Sequence, residues 1–196
     1  MAKTKTGRAI VLFPYHSSTR NRYYNSVVLS LERNNGKYSL PGGSVDPRKG
    51  DKNSLDAAVR ELKEEFGLLT RKENAQLAYT FSGNVCEHDV YLVYAHGNLE
   101  ADIHELRGIG FYNAGRHNAI PNEKLERHVK VLQADFRKRN RRIITPGPGF
   151  NTVLRELRRI PDERESKIQI PDWYFIPDVG GKPEIKPWTS QRKSFS

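Results

Sequence analysis

Three glutamates lie close together in the run Arg60-Glu61-Leu62-Lys63-Glu64-Glu65-Phe66-Gly67-Leu68. On an α-helix each residue advances about 100°, which sets Glu64 about 60° to one side of Glu61 and Glu65 about 40° to the other. The three carboxylates then share one face, while Leu55, Ala58, Leu62 and Phe66 occupy the adjoining one. Like charges one turn apart on an exposed helix repel by roughly 0.2–0.5 kcal/mol per pair, so a cation is expected to compensate them. Hard divalent ions such as Mg²⁺ take oxygen ligands and bridge to phosphate oxygens, so this face is suited to present a metal to a diphosphate. The bland alternative is an acidic, solvated helix face.

The flanking residues favour the first reading. Each charged type makes up roughly 6% of an average protein, so four charged residues and a glycine in this register arise by chance at roughly one position in a million. The run Arg-Glu-apolar-any-Glu-Glu-any-Gly-apolar resembles the second half of the Nudix box without a mismatch. Pro41-Gly42-Gly43 also matches the segment that leads into the box. The resemblance covers roughly residues 7–139.

It implies an α/β (α+β) fold, an α/β/α sandwich on a mixed β-sheet, and a pyrophosphohydrolase with Mg²⁺ or Mn²⁺ as cofactor. By the same resemblance Gly43 (through its carbonyl), Glu61, Glu64 and Glu65 are metal ligands, and one of the glutamates doubles as general base. Arg60 completes the catalytic group with Glu61 and Glu64, its guanidinium holding carboxylates of its own helix. The family commonly adds a glutamate from a loop ahead of an aromatic-bearing strand. Residues 103–111, Ile-His-Glu-Leu-Arg-Gly-Ile-Gly-Phe, make Glu105 that candidate, with Glu100 and Glu123 in reserve. The six histidines show no metal-ligand spacing. The sequence departs from the box upstream: Gly43 to Arg60 is seventeen steps where fourteen are usual, and the position of the box's first Glu is Lys52, with Asp51 and Asp56 the nearest acids. The segment Asp46 to Asn53 is therefore a lengthened loop.

The elements that must carry these residues follow from patterning. Apolar runs predict strands over Arg8–Tyr15 and Ser26–Glu32, joined by a polar, aromatic loop, HSSTRNRYYN. Asn34-Asn35-Gly36 marks a turn before a strand at Lys37–Leu40. Ser54 is the expected cap of the carboxylate helix and Gly67 its stop. Further strands are expected at Gln76–Phe81, Asp89–Ala95 and Arg107–Asn113, and a helix at Asn122–Arg139 through Leu125, Val129, Leu132 and Phe136. Residues 1–143 read as the catalytic domain. Residues 144–196 read as a C-terminal extension with a short helix at Thr152–Ile160, an aromatic strand-like segment and a polar, mobile tail.

Composition bounds the rest. The chain of 196 residues has 36% hydrophobic residues, enough for one core, and lacks an apolar run long enough for a bilayer or a convincing signal peptide, so a cytoplasmic enzyme is expected. The single cysteine, Cys86, excludes an internal disulfide and reads as a small core residue. Lys and Arg number 33 against 23 Asp and Glu, a net charge of +10 that favours phosphorylated partners. Arg20, Arg22 and Tyr23 between the first two strands are candidates for substrate contact. Arg137 to Arg142 with Arg155, Arg158 and Arg159 form a second basic cluster suited to an RNA backbone. Trp173, Tyr174 and Phe175 suggest packing of the extension or a homodimer contact. The leading substrate class is a nucleoside diphosphate linked to another moiety: a nucleoside triphosphate, dinucleoside polyphosphate, nucleotide sugar or capped RNA end. An inositol-pyrophosphate phosphohydrolase and a non-catalytic module that binds RNA or protein remain open.

Overall fold

A computed structural model describes residues 3–17, 22–102, 104–113 and 120–159, together with the backbone of three short strands beyond them. Its centre is β1 (Thr4–Ser17). The first half of β1 pairs in parallel with β7 (Cys86–Val93), from Thr4 opposite Cys86 to Val11 opposite Val93. Its other edge there pairs antiparallel with β4 (Gly42–Ser44), and its second half pairs antiparallel with β2 (Arg22–Glu32). The sheet continues through β6 (Gln76–Ser82) and β10 (Ile144–Pro146) on one side, and through β3 (Tyr38–Ser39) and β9 (Leu106–Tyr112) on the other. One parallel pair among antiparallel ones makes it a mixed sheet, as expected. Two short strands, β5 (Leu69–Thr70) and β8 (Ala95–Asn98), pair beside it, and β11 (Ile168–Gln169) extends β8. β12 (Trp173–Ile176) and β13 (Glu184–Pro187) form a separate antiparallel pair.

Side chains alternate along a strand, so β1 feeds two cores. Ala9, Val11 and Phe13 pack with Val28, Leu62, Phe66 and Leu68 under α1 (Ser54–Phe66). Ile10 joins Val27, Leu29, Tyr79, Leu92, Val129, Phe150 and Val153 on the opposite face. That face is covered by α2 (Arg127–Lys130), α3 (Ala134–Arg139) and α4 (Phe150–Glu156). Among the described residues no helix is long and apolar enough to cross a membrane.

Several expectations change. The helix expected over Asn122–Arg139 is two short helices, because Gln133 adopts an extended backbone (φ −86°, ψ 136°) between them. Leu125, Val129 and Leu132 are buried all the same, so the apolar spacing survives the interruption. Much of the expected loop after β1 is hairpin: Tyr15, His16 and Ser17 stand opposite Tyr24, Tyr23 and Arg22. Arg22 and Tyr23 are thus strand residues, and Arg20 lies outside the described residues. The short helix expected at Thr152 begins at Phe150. Residues 144–157, assigned to the extension from sequence, join the core: β10 pairs with β6, and Phe150, Val153 and Leu157 are buried in it. Cys86, expected in the core, is half-buried at the start of β7.

Candidate active site

Helix α1 forms because its apolar residues recur at helical spacing and both ends are capped. Asn53, one residue before the expected Ser54, takes an extended backbone and its side chain accepts the Asp56 N–H at 3.0 Å. Ser54 is the first helical residue, and its hydroxyl donates to Asp89 at 2.6 Å. Gly67 ends the helix with φ 66°, its N–H bonding the Lys63 carbonyl. Ala57, Ala58, Leu62 and Phe66 are fully buried, which fixes the rotation of the helix and turns its carboxylates toward β4 and the β8–β9 loop.

Glu61, Glu65 and Glu105 converge there, each offering an oxygen within 4.8 Å of the others'. Two come from α1 and the third from the turn before β9, where Glu105 N–H bonds the Asp102 carbonyl at 3.2 Å. The segment at Gly42 and Gly43 closes the third side. Gly42 N–H donates to Glu65 Oε2 at 3.2 Å, and Gly42 holds φ 140°, which an L side chain rarely adopts. A Cβ on Gly43 would collide with the Glu61 carboxylate, so this backbone lies directly against the cluster.

Glu65 is 6% exposed. Burial pushes its carboxyl up to about 8, and the charge of Arg8 offsets that only partly against Glu32 and Glu61. Glu64 differs. Burial raises it too, but bonds from Lys49 (3.1 Å) and Arg60 (2.8 Å) outweigh this and hold it below the ordinary carboxylate range.

Arg60 ties the site together. Its Nη1 reaches Glu61 Oε1 at 2.7 Å and Glu64 Oε2 at 2.8 Å, while Nε and Nη2 grip Asp51, the closest contact being 2.8 Å. Nη2 also donates to the Ser44 carbonyl at 3.3 Å. The Asp51 side chain is 3% exposed, and the Arg60 guanidinium holds its carboxyl below the usual range. Asp51 Oδ2 further accepts the Asp46 N–H at 2.9 Å, which closes the lengthened loop on itself. The acid that anchors Arg60 is therefore Asp51, nine residues ahead of it, and Lys52 is exposed. Among the sequence candidates the structure unites Glu61, Glu65 and Glu105 beside Gly43 and sets Arg60 across Glu61 and Glu64. Glu64 lies outside that trio, at its solvent edge. Asp51, Lys49 and Arg8 join the site without being candidates from sequence. Asp51 was visible as the nearest acid, whereas the other two are brought in only by tertiary folding.

The sequence matches the model of the NUDIX domain over residues 6–134. Among solved structures it is similar to a MutT/nudix family protein from Enterococcus faecalis (21% identity, 60% of this chain and 46% of that one, TM-score 0.47). It is also similar to a nudix hydrolase family member from Chromobacterium violaceum (18%, 80% and 93%, TM-score 0.46). A third is the NUDIX domain of Shewanella oneidensis NrtR complexed with ADP ribose (18%, 57% and 73%, TM-score 0.45). The chain thus spans under half the length of the Enterococcus protein. No curated protein matches the sequence. With a family model matched over about two thirds of its length, the chain belongs to the NUDIX domain family.

Proposed function

We propose that this chain is a Nudix-type pyrophosphohydrolase that requires a divalent cation and cleaves the diphosphate bond of a nucleoside diphosphate linked to another moiety. The observation that supports the reading is the convergence of Glu61, Glu65 and Glu105 beside the Gly43 backbone. Their donors are all hard oxygens, which suit Mg²⁺ or Mn²⁺ and not a soft metal. A buried carboxyl near like charges, as Glu65 is, is also a group that a bound cation would relieve. Those three residues and the Gly43 carbonyl would hold the ion. When bound, it would make water more acidic and neutralise charge on the phosphates.

The protein's own groups have distinct tasks. Glu64, kept ionised by Lys49 and Arg60 and 38% exposed, accepts the proton of the attacking water. The water oxygen bonds to one phosphorus, the bond from that phosphorus to the bridging oxygen breaks, and the second phosphate leaves with the electron pair. Arg60 fixes Glu61 and Glu64 relative to each other, and Asp51 fixes Arg60. The intact carboxylates oppose a purely binding role.

A panel of nucleoside triphosphates, dinucleoside polyphosphates, nucleotide sugars, capped RNA and inositol pyrophosphates tests this with Mg²⁺ or Mn²⁺, following phosphate or nucleoside monophosphate release. Turnover of a nucleoside-containing member is expected, with Glu64→Gln slower by about 10²-fold or more. An unaffected Glu64→Gln, or turnover of the inositol compounds alone, would overturn the assignment.

A further inference from the structure

The face of the sheet away from α1 carries a feature that diphosphate hydrolysis does not use. There α3, β10 and the start of α4 line an open, cleft-like cavity of about 400 Å³. Its charged lining is Arg137, Lys138 and Arg141, and its apolar wall is Ile144, Pro146 and Phe150. No lining residue is acidic. None of the three cations takes part in an ion pair among the described residues, whereas Lys5, Lys49, Arg60 and Lys72 all do. The acid beside them on α3, Asp135, is exposed and acts on Tyr112. Arg137 is half-buried, with its guanidinium 5.6 Å from the centre of the Phe150 ring and its Nε donating to the Gln133 carbonyl at 3.4 Å. Its planar group is thereby held in place, not free in solvent.

The cations also outrun the cavity. Arg139 and Arg142 are exposed within the same stretch, and Arg155 and Arg158 are exposed on α4 and just after it. A single phosphate would use one or two of these charges. A row of them beside an apolar wall fits a repeating anion with flat apolar groups attached.

We propose that this cavity binds a single-stranded nucleic acid, with Arg137, Lys138 and Arg141 on successive phosphodiesters and an unstacked base against Ile144, Pro146 and the fixed Arg137 guanidinium. The site is separate from the carboxylate cluster, because Phe150, which lines it, packs in the core on the Ile10 side of β1, whereas Ala9 and Val11 on the opposite side face α1. The proposal stands whether or not the enzyme acts on RNA.

The test is fluorescence anisotropy of a labelled, mixed-sequence RNA of about twelve nucleotides, titrated with the full chain in EDTA so that no hydrolysis intervenes. Wild type is compared with R137A/K138A/R141A and with K52A/K63A/R71A, a control that removes equal charge from exposed positions elsewhere. The first triple variant should bind about tenfold or more weakly, and its log K against log salt should be shallower by about 2, for three lost phosphate contacts. The control should stay within about twofold, and DNA of the same sequence should bind within about threefold of RNA because the contacts are to phosphate and base face. Should the cavity variant unfold, the exposed Lys138→Glu alone must weaken binding. Equal losses in both triple variants, no strand binding by wild type, a mononucleotide binding as tightly as the strand, or a strong RNA-over-DNA preference would each overturn the proposal.

Discussion

Glu64 and Glu65 are adjacent in sequence and meet opposite surroundings. Glu64 has a side chain 38% exposed and two cationic partners, so it is ionised over a wide pH range. Glu65 is buried and its carboxyl is pushed up to about 8. A helical wheel puts both on one face but is silent on what lies opposite that face, so periodicity alone assigns them the same role. Burial of Glu65 is the largest cause of the difference, and Lys49 adds to it because its ammonium bonds Glu64 directly. Replacing Lys49 with Ala removes a group that lowers the Glu64 pKa. The acidic limb of the kcat/KM profile should accordingly move to higher pH. An unmoved limb in that variant would take the proton-accepting role away from Glu64.

At the scale of elements, α1 was legible almost to the residue, because Leu62 and Phe66 repeat at helical spacing and Gly67 is a strong stop. The lengthened loop was not. Counting positions put Lys52 where an acid is usual, yet the extra residues fold back through the Asp46 N–H so that Asp51 meets Arg60. Loop insertions change sequence spacing while preserving spatial position, and periodicity carries no information about which. The interrupted helix at 127–139 fails for a related reason: burial of Leu125, Val129 and Leu132 needs the spacing, not continuous hydrogen bonds. The β1–β2 hairpin extends into polar residues that carry no core signal. Asp51→Ala leaves Arg60 without its buried partner and should cost about 3 kcal/mol in denaturant unfolding, the usual cost of breaking a buried pair from one side. It should also lower kcat, because Arg60 then swings away from Glu61 and Glu64. Stability within about 0.5 kcal/mol of wild type would show that the loop is anchored elsewhere.

Over the whole molecule, the two proposed sites lie on opposite faces of one sheet: α1 and its carboxylates on one, the cationic cavity on the other. Membership of the family and the mixed sheet were both readable from residues 41–68 and the strand patterning, whereas Glu105 was reachable only through the resemblance, since nothing local distinguishes it from a surface acid. The buried acid makes overall stability depend on pH and, if the proposed cation binds there, on metal as well. The Glu65 pKa is raised from 4.5 unfolded to about 8 folded. Its contribution is therefore complete below about 4.5 and lost as pH rises through about 8. Half-buried His88, lowered by burial to about 4 from 6.5, works the other way: its contribution is present above about 6.5 and lost as pH falls through about 4. In EDTA the melting temperature should thus fall between pH 6.5 and 8.5. Glu65→Gln should abolish that fall, and Mg²⁺ should raise the melting temperature of wild type more at the alkaline end. A pH-independent response to Mg²⁺ would contradict the placement of an ion at Glu65.

The most direct measurement is a Mn²⁺ titration of the substrate-free protein followed by electron paramagnetic resonance, comparing wild type with Glu61→Gln, Glu65→Gln and Glu105→Gln. The carboxylate cluster predicts a Mn²⁺ site in wild type, weakened by about tenfold or more when Glu61 or Glu65 is neutralised and less when the exposed Glu105 is. Equal Mn²⁺ affinity in all four proteins, or none in wild type, would contradict the account.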